Sequence, residues 1–247
     1  MKNQVVMNDI KIGINIDHIA TLRQVRGGNE PDPAAAARLI MEAGADRIIM
    51  HYRRDRKHIQ PADLSLIRRE VPGQFHLEIA PVPEMEEVIL SIMPDSVCLV
   101  PEQPGETSEG GGLLLGDNNT AQAAKMIKTF SAAGIETGVY CDPVPQAIRA
   151  AYRIGADTIS LSTVKYAGAL GRKNQAAELE KLQLAAYLVK ELKKNIEAGG
   201  ELSYHNIGPV ASIPDMAYVS AGFSVIARAL FCGLKEAVAE LKAIAEA

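Results

Sequence analysis

The chain has 247 residues, 47% hydrophobic and 23% charged, with 26 Lys plus Arg against 30 Asp plus Glu and a formal net charge of -4. Those proportions exclude a disordered or fibrous protein, and the near balance of charge argues against a nucleic-acid or membrane surface as the main partner. The N-terminal run Met-Lys-Asn-Gln-Val-Val-Met-Asn-Asp lacks a long apolar stretch and nothing reaches the ~18 apolar residues of a membrane span, so a cytoplasmic protein is expected.

Short apolar runs alternate with segments of helical periodicity along the chain. A strand is predicted over Lys11 to Ile16, a helix over Pro33 to Glu42, and a second strand over Arg47 to His51. Next come a helix over Ala62 to Arg69, a strand over His76 to Ala80, a helix over Met85 to Met93 and a strand over Ser96 to Val100. The pattern continues with a helix over Thr120 to Ala133, a strand over Thr137 to Cys141, a helix over Pro145 to Ile154 and a strand over Thr158 to Leu161. A helix over Ala176 to Lys194, strands over Asn195 to Ala198 and Ser224 to Ile226, and an amphipathic closing helix over Gly233 to Lys242 complete the order. Strands separated by helices of this length imply βαβ units and a parallel sheet.

Three helix-to-strand joints repeat one another: Glu-Ala-Gly-Ala-Asp-Arg-Ile (42 to 48), Ala-Ala-Gly-Ile-Glu-Thr-Gly (132 to 138) and Arg-Ile-Gly-Ala-Asp-Thr-Ile (153 to 159). In each, a glycine just past the helix end suits the left-handed turn that closes a helix. Repetition of this kind, eight candidate strands and the absence of Gly-x-Gly-x-x-Gly after the first strand favour a single-domain α/β protein, a (β/α)8 TIM barrel, over an open doubly wound sheet. No linker divides residues 1–247, and the glycine-rich stretch within 101–119 is expected to be a loop over the active-site face.

In such a barrel, polar residues at strand C-terminal ends share one mouth. The first strand delivers Asn15, Asp17 and His18, the second His51 and Arg53 with His58 beyond, the third Glu78, and the fourth leads to Glu102 and Thr107. An imidazole and a carboxylate at an apolar mouth are candidates for proton transfer, because burial moves both toward the working pH range. Glu78 stands between Leu77 and Ile79, where a carboxylate without a role is expensive. Arg53 and His58 suit a phosphate or carboxylate, and Arg26 before Gly27-Gly28 has the same potential. His18, His51, His58, His76 and His205 show no metal-ligand spacing, so no metal is expected. Cys98, Cys141 and Cys232 form no C-x-x-C pair and are each expected to be buried apolar residues.

The run Gly13-Ile-Asn-Ile-Asp-His-Ile-Ala-Thr-Leu-Arg-Gln-Val-Arg-Gly27 with Pro31-Asp-Pro33 resembles pyridoxine 5′-phosphate synthases of the PdxJ type. So do His51-Tyr-Arg-Arg-Asp-Arg-Lys-His58, Leu77-Glu78, Cys98-Leu-Val-Pro-Glu102, Glu109-Gly-Gly111, Tyr204-His-Asn206 and the closing Gly233-Leu-Lys-Glu-Ala-Val. The resemblance implies a homo-oligomeric barrel, octameric in the family, that needs no cofactor and no metal. It implies condensation of two small phosphorylated substrates, 1-deoxy-D-xylulose 5-phosphate and 3-amino-2-oxopropyl phosphate, into pyridoxine 5′-phosphate. By the same resemblance His51 and Glu78 are acid/base groups, and Asp17, His18, Arg53, His58 and Thr107 hold the deoxyxylulose phosphate. Asn15, Arg26 and the segment Gly222-Phe223 fall on the aminoketone phosphate.

Several positions depart from the family pattern. Where the family has Ala-Gly-His-Gly-Leu, this chain has Ala198-Gly-Gly-Glu-Leu202, so a proton-donor histidine becomes Gly200 and a phosphate-binding glycine becomes Glu201. A family Gly-His becomes Gly222-Phe223, and a family glutamate becomes Ser160. Glycine donates no proton, and a glutamate beside a bound phosphate adds repulsion of a few kcal/mol at an effective dielectric near 20. Three readings follow: the ordinary synthase with His205 or a water standing in, a divergent enzyme with a different amine, and a catalytically silent ligand-binding paralogue.

Overall fold

The structure is a computed structural model and describes residues 10–102, 111–116 and 119–247. Strand β1 (Lys11–Asn15) runs into α1 (Asp17–Arg26) and α2 (Pro33–Glu42). Strand β2 (Arg47–His51) is followed by α3 (Pro61–Glu70), β3 (Gln74–Ile79) by α4 (Pro83–Ile92), β4 (Ser96–Leu99) by α5 (Thr120–Ala132) and β5 (Glu136–Cys141) by α6 (Pro145–Arg153). Strand β6 (Thr158–Ser162) leads to α7 (Val164–Ala167) and α8 (Arg172–Glu191), β7 (Asn195–Gly199) to α9 (Ile207–Ala211), and β8 (Met216–Ala221) to α10 (Phe223–Cys232) and α11 (Leu234–Ala245). The strands are parallel, and β8 pairs with β1 to close a barrel in sequential order.

The repeated joints work as their sequences indicate. Gly44, Gly134 and Gly155 take φ of 98°, 83° and 92°, a region that a residue with a Cβ enters only at a cost. The aspartates near the strand starts add a second device. Asp46 accepts the Ile12 N–H at 2.9 Å, Asp95 the Phe75 N–H at 2.8 Å and Asp157 the Thr137 N–H at 3.1 Å. Each therefore ties the start of one strand to the strand before it, which sets register at the base of the barrel.

Alternation along the strands then divides the side chains between two environments. Ile12, Ile14, Ile48, Met50, Leu77 and Ile79 join one apolar cluster with the helices, whereas Asn15, Arg47, His51, His76 and Glu78 take the alternate, inward positions.

Several elements differ from the expectation, among them the short helices α7 and α9, which were not predicted. The last strand is Met216–Ala221, and the run expected as strand Ser224 to Ile226 lies in α10. Val225 and Ile226 are buried there as one helix face. Three apolar residues carry no period that separates a strand from such a face. Helix α1 was also not expected, because its polar residues read as a site loop; Ile19, Ala20 and Arg23 form its buried side. Cys98 and Cys141 are buried as expected, but Cys232 at the end of α10 is only half-buried. Among the described residues no helix is long and apolar enough to cross a membrane.

Candidate active site

The C-terminal ends of the strands surround a cavity of roughly 690 Å³. It begins at the junction of β1 and α1. Asn15 Oδ1 accepts the Asp17 N–H at 2.9 Å while its Nδ2 donates to Asp17 Oδ2 at 2.8 Å. Asp17 in turn accepts the backbone N–H of His51, at 3.0 Å to Oδ1. The end of β1 and the end of β2 are thus fixed to each other, and the motif Asn15-Ile-Asp17 is a structural clamp that also lines the cavity. Burial and the nearby Glu78 charge push the Asp17 carboxyl up to about 8, against the hydrogen bonds from Asn15 and His51.

His51 and Glu78 are register partners on β2 and β3, so both side chains enter the mouth at one height. Burial, assisted by the His58 and Arg53 charges, holds the His51 imidazole down at about 3, which leaves it neutral at physiological pH. Burial pushes Glu78 up to about 7. A neutral imidazole beside a carboxyl that exchanges its proton near neutrality can accept and return protons without a large energetic penalty. His51 Nε2 also lies 4.0 Å from Glu102, whose carboxylate accepts the Arg54 N–H at 3.0 Å.

The end of the cavity where an anion was expected is made by the loop after β2. Arg53 is buried and its guanidinium is aligned by Asp55 at 3.0 and 2.8 Å. His58 Nδ1 accepts the Ile59 N–H at 3.0 Å and stands 3.7 Å from Asp17; burial and the Arg53 charge hold this imidazole down at about 4. Beneath this loop Arg23 of α1 makes a buried fork to Asp63 at 2.6 and 2.8 Å and donates to the His58 carbonyl at 3.2 Å. Lys57 also lines the cavity, whereas Arg54 and Arg56 are engaged elsewhere. Arg54 pairs with Glu84 at 2.6 Å on the surface, and Arg56 lies 3.8 Å over the Tyr52 ring.

Across the cavity, the β6, β7 and β8 ends supply Ser160, Gly200, Glu201, Gly222 and Phe223. His18 faces this side, with its ring 5.3 Å from that of Phe223 and its Nδ1 buried without a hydrogen-bond partner among the described residues. Burial holds its pKa below the ordinary value, and the charge of Glu201 opposes that shift. Gly200 has φ 109°, and a Cβ on it would fall 2.5 Å from the Tyr140 hydroxyl and 2.9 Å from Val164 Cγ2. Glu201 adopts φ 59°, a conformation that favours glycine, so a charged side chain is carried at a conformational cost.

Of the sequence-selected residues, Asn15, Asp17, His18, Arg53, His51, His58 and Glu78 line the cavity together with the β6 to β8 group. Arg26 is exposed in the last turn of α1 and is not among the lining residues. His205 is exposed and also outside the lining, so it does not stand where a substitute proton donor would be needed. Thr107 and most of the 101–119 loop lie outside the described residues. Tyr140 was missed; it ends an apolar strand and gave no polar signal, yet its hydroxyl meets Ser162 Oγ at 2.9 Å and the Gly199 carbonyl at 3.2 Å. Asp17, His51 and His58 each bring one donor atom within 4.8 Å of the others, a convergence that no sequence spacing announced. The charge of Arg53 beside them opposes a cation there.

A family model described as "Pyridoxal phosphate biosynthesis protein PdxJ" matches residues 12–247. A pyridoxine 5′-phosphate synthase of Elusimicrobium minutum (strain Pei191) is 40% identical over 233 residues, covering 94% of this chain and 96% of the relative. One from Gloeothece citriformis (strain PCC 7424) is 42% identical over 233 residues, covering 94% and 97%. Among solved structures, a thiamine phosphate pyrophosphorylase from Pyrococcus furiosus superposes with a TM-score of 0.63 at 18% identity, covering 98% of each chain; at that identity the likeness is one of fold. The family model matches from the first strand to the last residue and relatives at about 40% identity cover 94% of the chain, so the chain belongs to the PdxJ family.

Proposed function

We propose that this protein is a cytoplasmic, homo-oligomeric pyridoxine 5′-phosphate synthase. It joins 1-deoxy-D-xylulose 5-phosphate to 3-amino-2-oxopropyl phosphate and releases inorganic phosphate and water, with no metal or organic cofactor. The observation that carries this reading is the pairing of His51 with Glu78 at one height of the mouth, next to the anion-binding end formed by Arg53 and His58. The phosphate of the pentulose sits against Arg53 and His58, which places its carbon chain toward Glu78. Condensing an amine with a ketone expels water, and closing the ring removes protons from carbon. Glu78 takes such a proton and the neutral His51 relays it to a departing oxygen. The exposed apolar side chains Val25 on α1 and Phe231 on α10, 81% and 87% accessible in the single chain, support self-association.

A second reading is favoured by one observation, the carboxylate of Glu201 held in a left-handed conformation at the cavity wall opposite Arg53. A phosphate on the second substrate would meet that negative charge. In this reading the second substrate is an amine that lacks the phosphate or carries a cation toward Glu201.

Incubating the purified protein with both named substrates, and following phosphate release and product mass, tests the two. Pyridoxine 5′-phosphate formed at an enzymatic rate supports the first reading. Phosphate release only with non-phosphorylated amines supports the second, and pentulose phosphate binding without turnover for any amine overturns both. Turnover unchanged after exhaustive chelation is expected, and loss restored by a divalent metal would overturn the metal-independent reaction.

A further inference from the structure

TIM-barrel interiors are usually filled by layers of branched apolar side chains. Here the interior below the mouth carries a full ion pair. Arg47 of β2 and Glu197 of β7 are both buried, and the guanidinium makes two parallel bonds to the carboxylate at 2.7 and 2.6 Å. The sheet order places β8 and β1 between those two strands, so the pair crosses the inside of the barrel.

The intervening strands are shaped around it. Gly13 on β1 is the register partner of Arg47, and a Cβ there would come within 3.1 Å of Arg47 Nε and 3.3 Å of its Cγ. Tyr218 on β8 lies with its ring 4.0 Å from the guanidinium carbon. Arg47 Nε, by contrast, is buried with no hydrogen-bond partner among the described residues. A desolvated pair with one donor left unmet is a poor source of stability, since an apolar replacement of similar size is often as stable or more so. Its retention calls for another role, and Glu78 lies above it: Arg47 is level with Gln74 on β3, and Glu78 is the second inward residue beyond Gln74 on that strand. Burial pushes Glu78 upward, the positive charge of Arg47 opposes that shift, and the negative charge of Glu197 adds to it. The other groups around Glu78 are Asn15 at the end of β1, Asp17 at the start of α1, His51 beside it on β2 and Cys98, its register partner on β4. None of these is a permanent cation.

We propose that Arg47, locked across the barrel by Glu197, is a positioning residue that sets a fixed positive charge beneath Glu78 and so keeps that carboxylate available as the proton acceptor. The inference rests on the reading of Glu78 as the acid/base group.

Opposite signs test it. Arg47→Met removes the cation and leaves the anion, so Glu78 should protonate more readily and the acidic limb of the kcat/KM profile should rise by about one pH unit, tenfold in activity below the limb. Glu197→Gln removes the anion and leaves the cation, and the limb should fall. A structural role alone would lower activity in both variants and move the limb in neither. Should Arg47→Met fail to fold with Glu197 uncompensated, the double variant Arg47→Met/Glu197→Leu removes both charges, and its limb should still rise, by less. The Glu78 carboxyl is titrated directly by carbon NMR without substrate, assigned by its loss in Glu78→Gln. Carboxyl shifts of opposite sign support the proposal even where kcat/KM does not follow them, which would instead refute Glu78 as the acid/base group. A carboxyl that titrates unchanged in folded Glu197→Gln and in the double variant overturns it.

Discussion

Glu78→Gln separates what the carboxylate does for chemistry from what it costs the fold. The side chain enters the mouth from an apolar strand, between Leu77 and Ile79, and burial raises its pKa from an ordinary 4.5 to about 7. A carboxyl shifted upward binds its proton more tightly in the folded state than in the unfolded one. Stability from this group is therefore fully present below pH 4.5 and lost as pH rises through about 7. The loss amounts to about 3 kcal/mol at pH 8, and to under about 1 kcal/mol at pH 5. Glutamine keeps the shape and removes the titration. The variant should thus gain stability relative to the parent as pH rises, with a Tm difference between the two that grows by roughly 5–10 °C from pH 5 to pH 8. Turnover should fall by at least about a hundredfold at every pH, the usual worth of a general base. Differential scanning calorimetry across that range, with phosphate release measured on the same samples, checks both halves. A Tm difference independent of pH would refute a Glu78 that binds its proton more tightly in the folded state, and full turnover would remove it from the chemistry.

Three further outcomes are expected. Arg23→Ala leaves Asp63 charged and unpaired in the interior and frees the loop carrying His58; it should cost about 3–5 kcal/mol in urea unfolding and raise KM for the pentulose phosphate more than it lowers kcat. Gly200→Ala forces a Cβ against the Tyr140 hydroxyl at φ 109° and should cost about 1–3 kcal/mol, so calorimetry showing no loss would contradict the close approach. Glu201→Gly relieves the left-handed strain and should add about 0.5–1 kcal/mol, while lowering KM for a phosphorylated aminoketone; a rise in that KM would oppose the reading of Glu201 as a repulsive wall.

Much of this site is local in sequence, which is why it was legible there. Asn15, Asp17 and His18 follow one apolar run, and His51 closes another whose loop brings Arg53 and His58. The position of such residues at strand C-terminal ends is enough to collect them at one mouth once the barrel is recognised. Other features depended on contacts between distant segments. Arg26 looks like a second anion anchor in the motif, yet helix α1 carries it away from the cavity lining, and His205 is exposed outside that lining. Tyr140 sits in an apolar strand, and its hydroxyl acquires a role through Ser162 and Gly199.

The sequence by itself determined the alternation of strands and helices, the glycine joints and the candidate residues at the strand ends, because each depends on residues within one turn or one strand of each other. The last strand escaped it, since Met216–Ala221 carries a weaker apolar pattern than the helix face at Val225 and Ile226 that follows. Tertiary structure alone decided the electrostatics. Arg47 and Glu197 are 150 positions apart, and only closure of the barrel brings them together under Glu78 in a medium too poor in water to screen them.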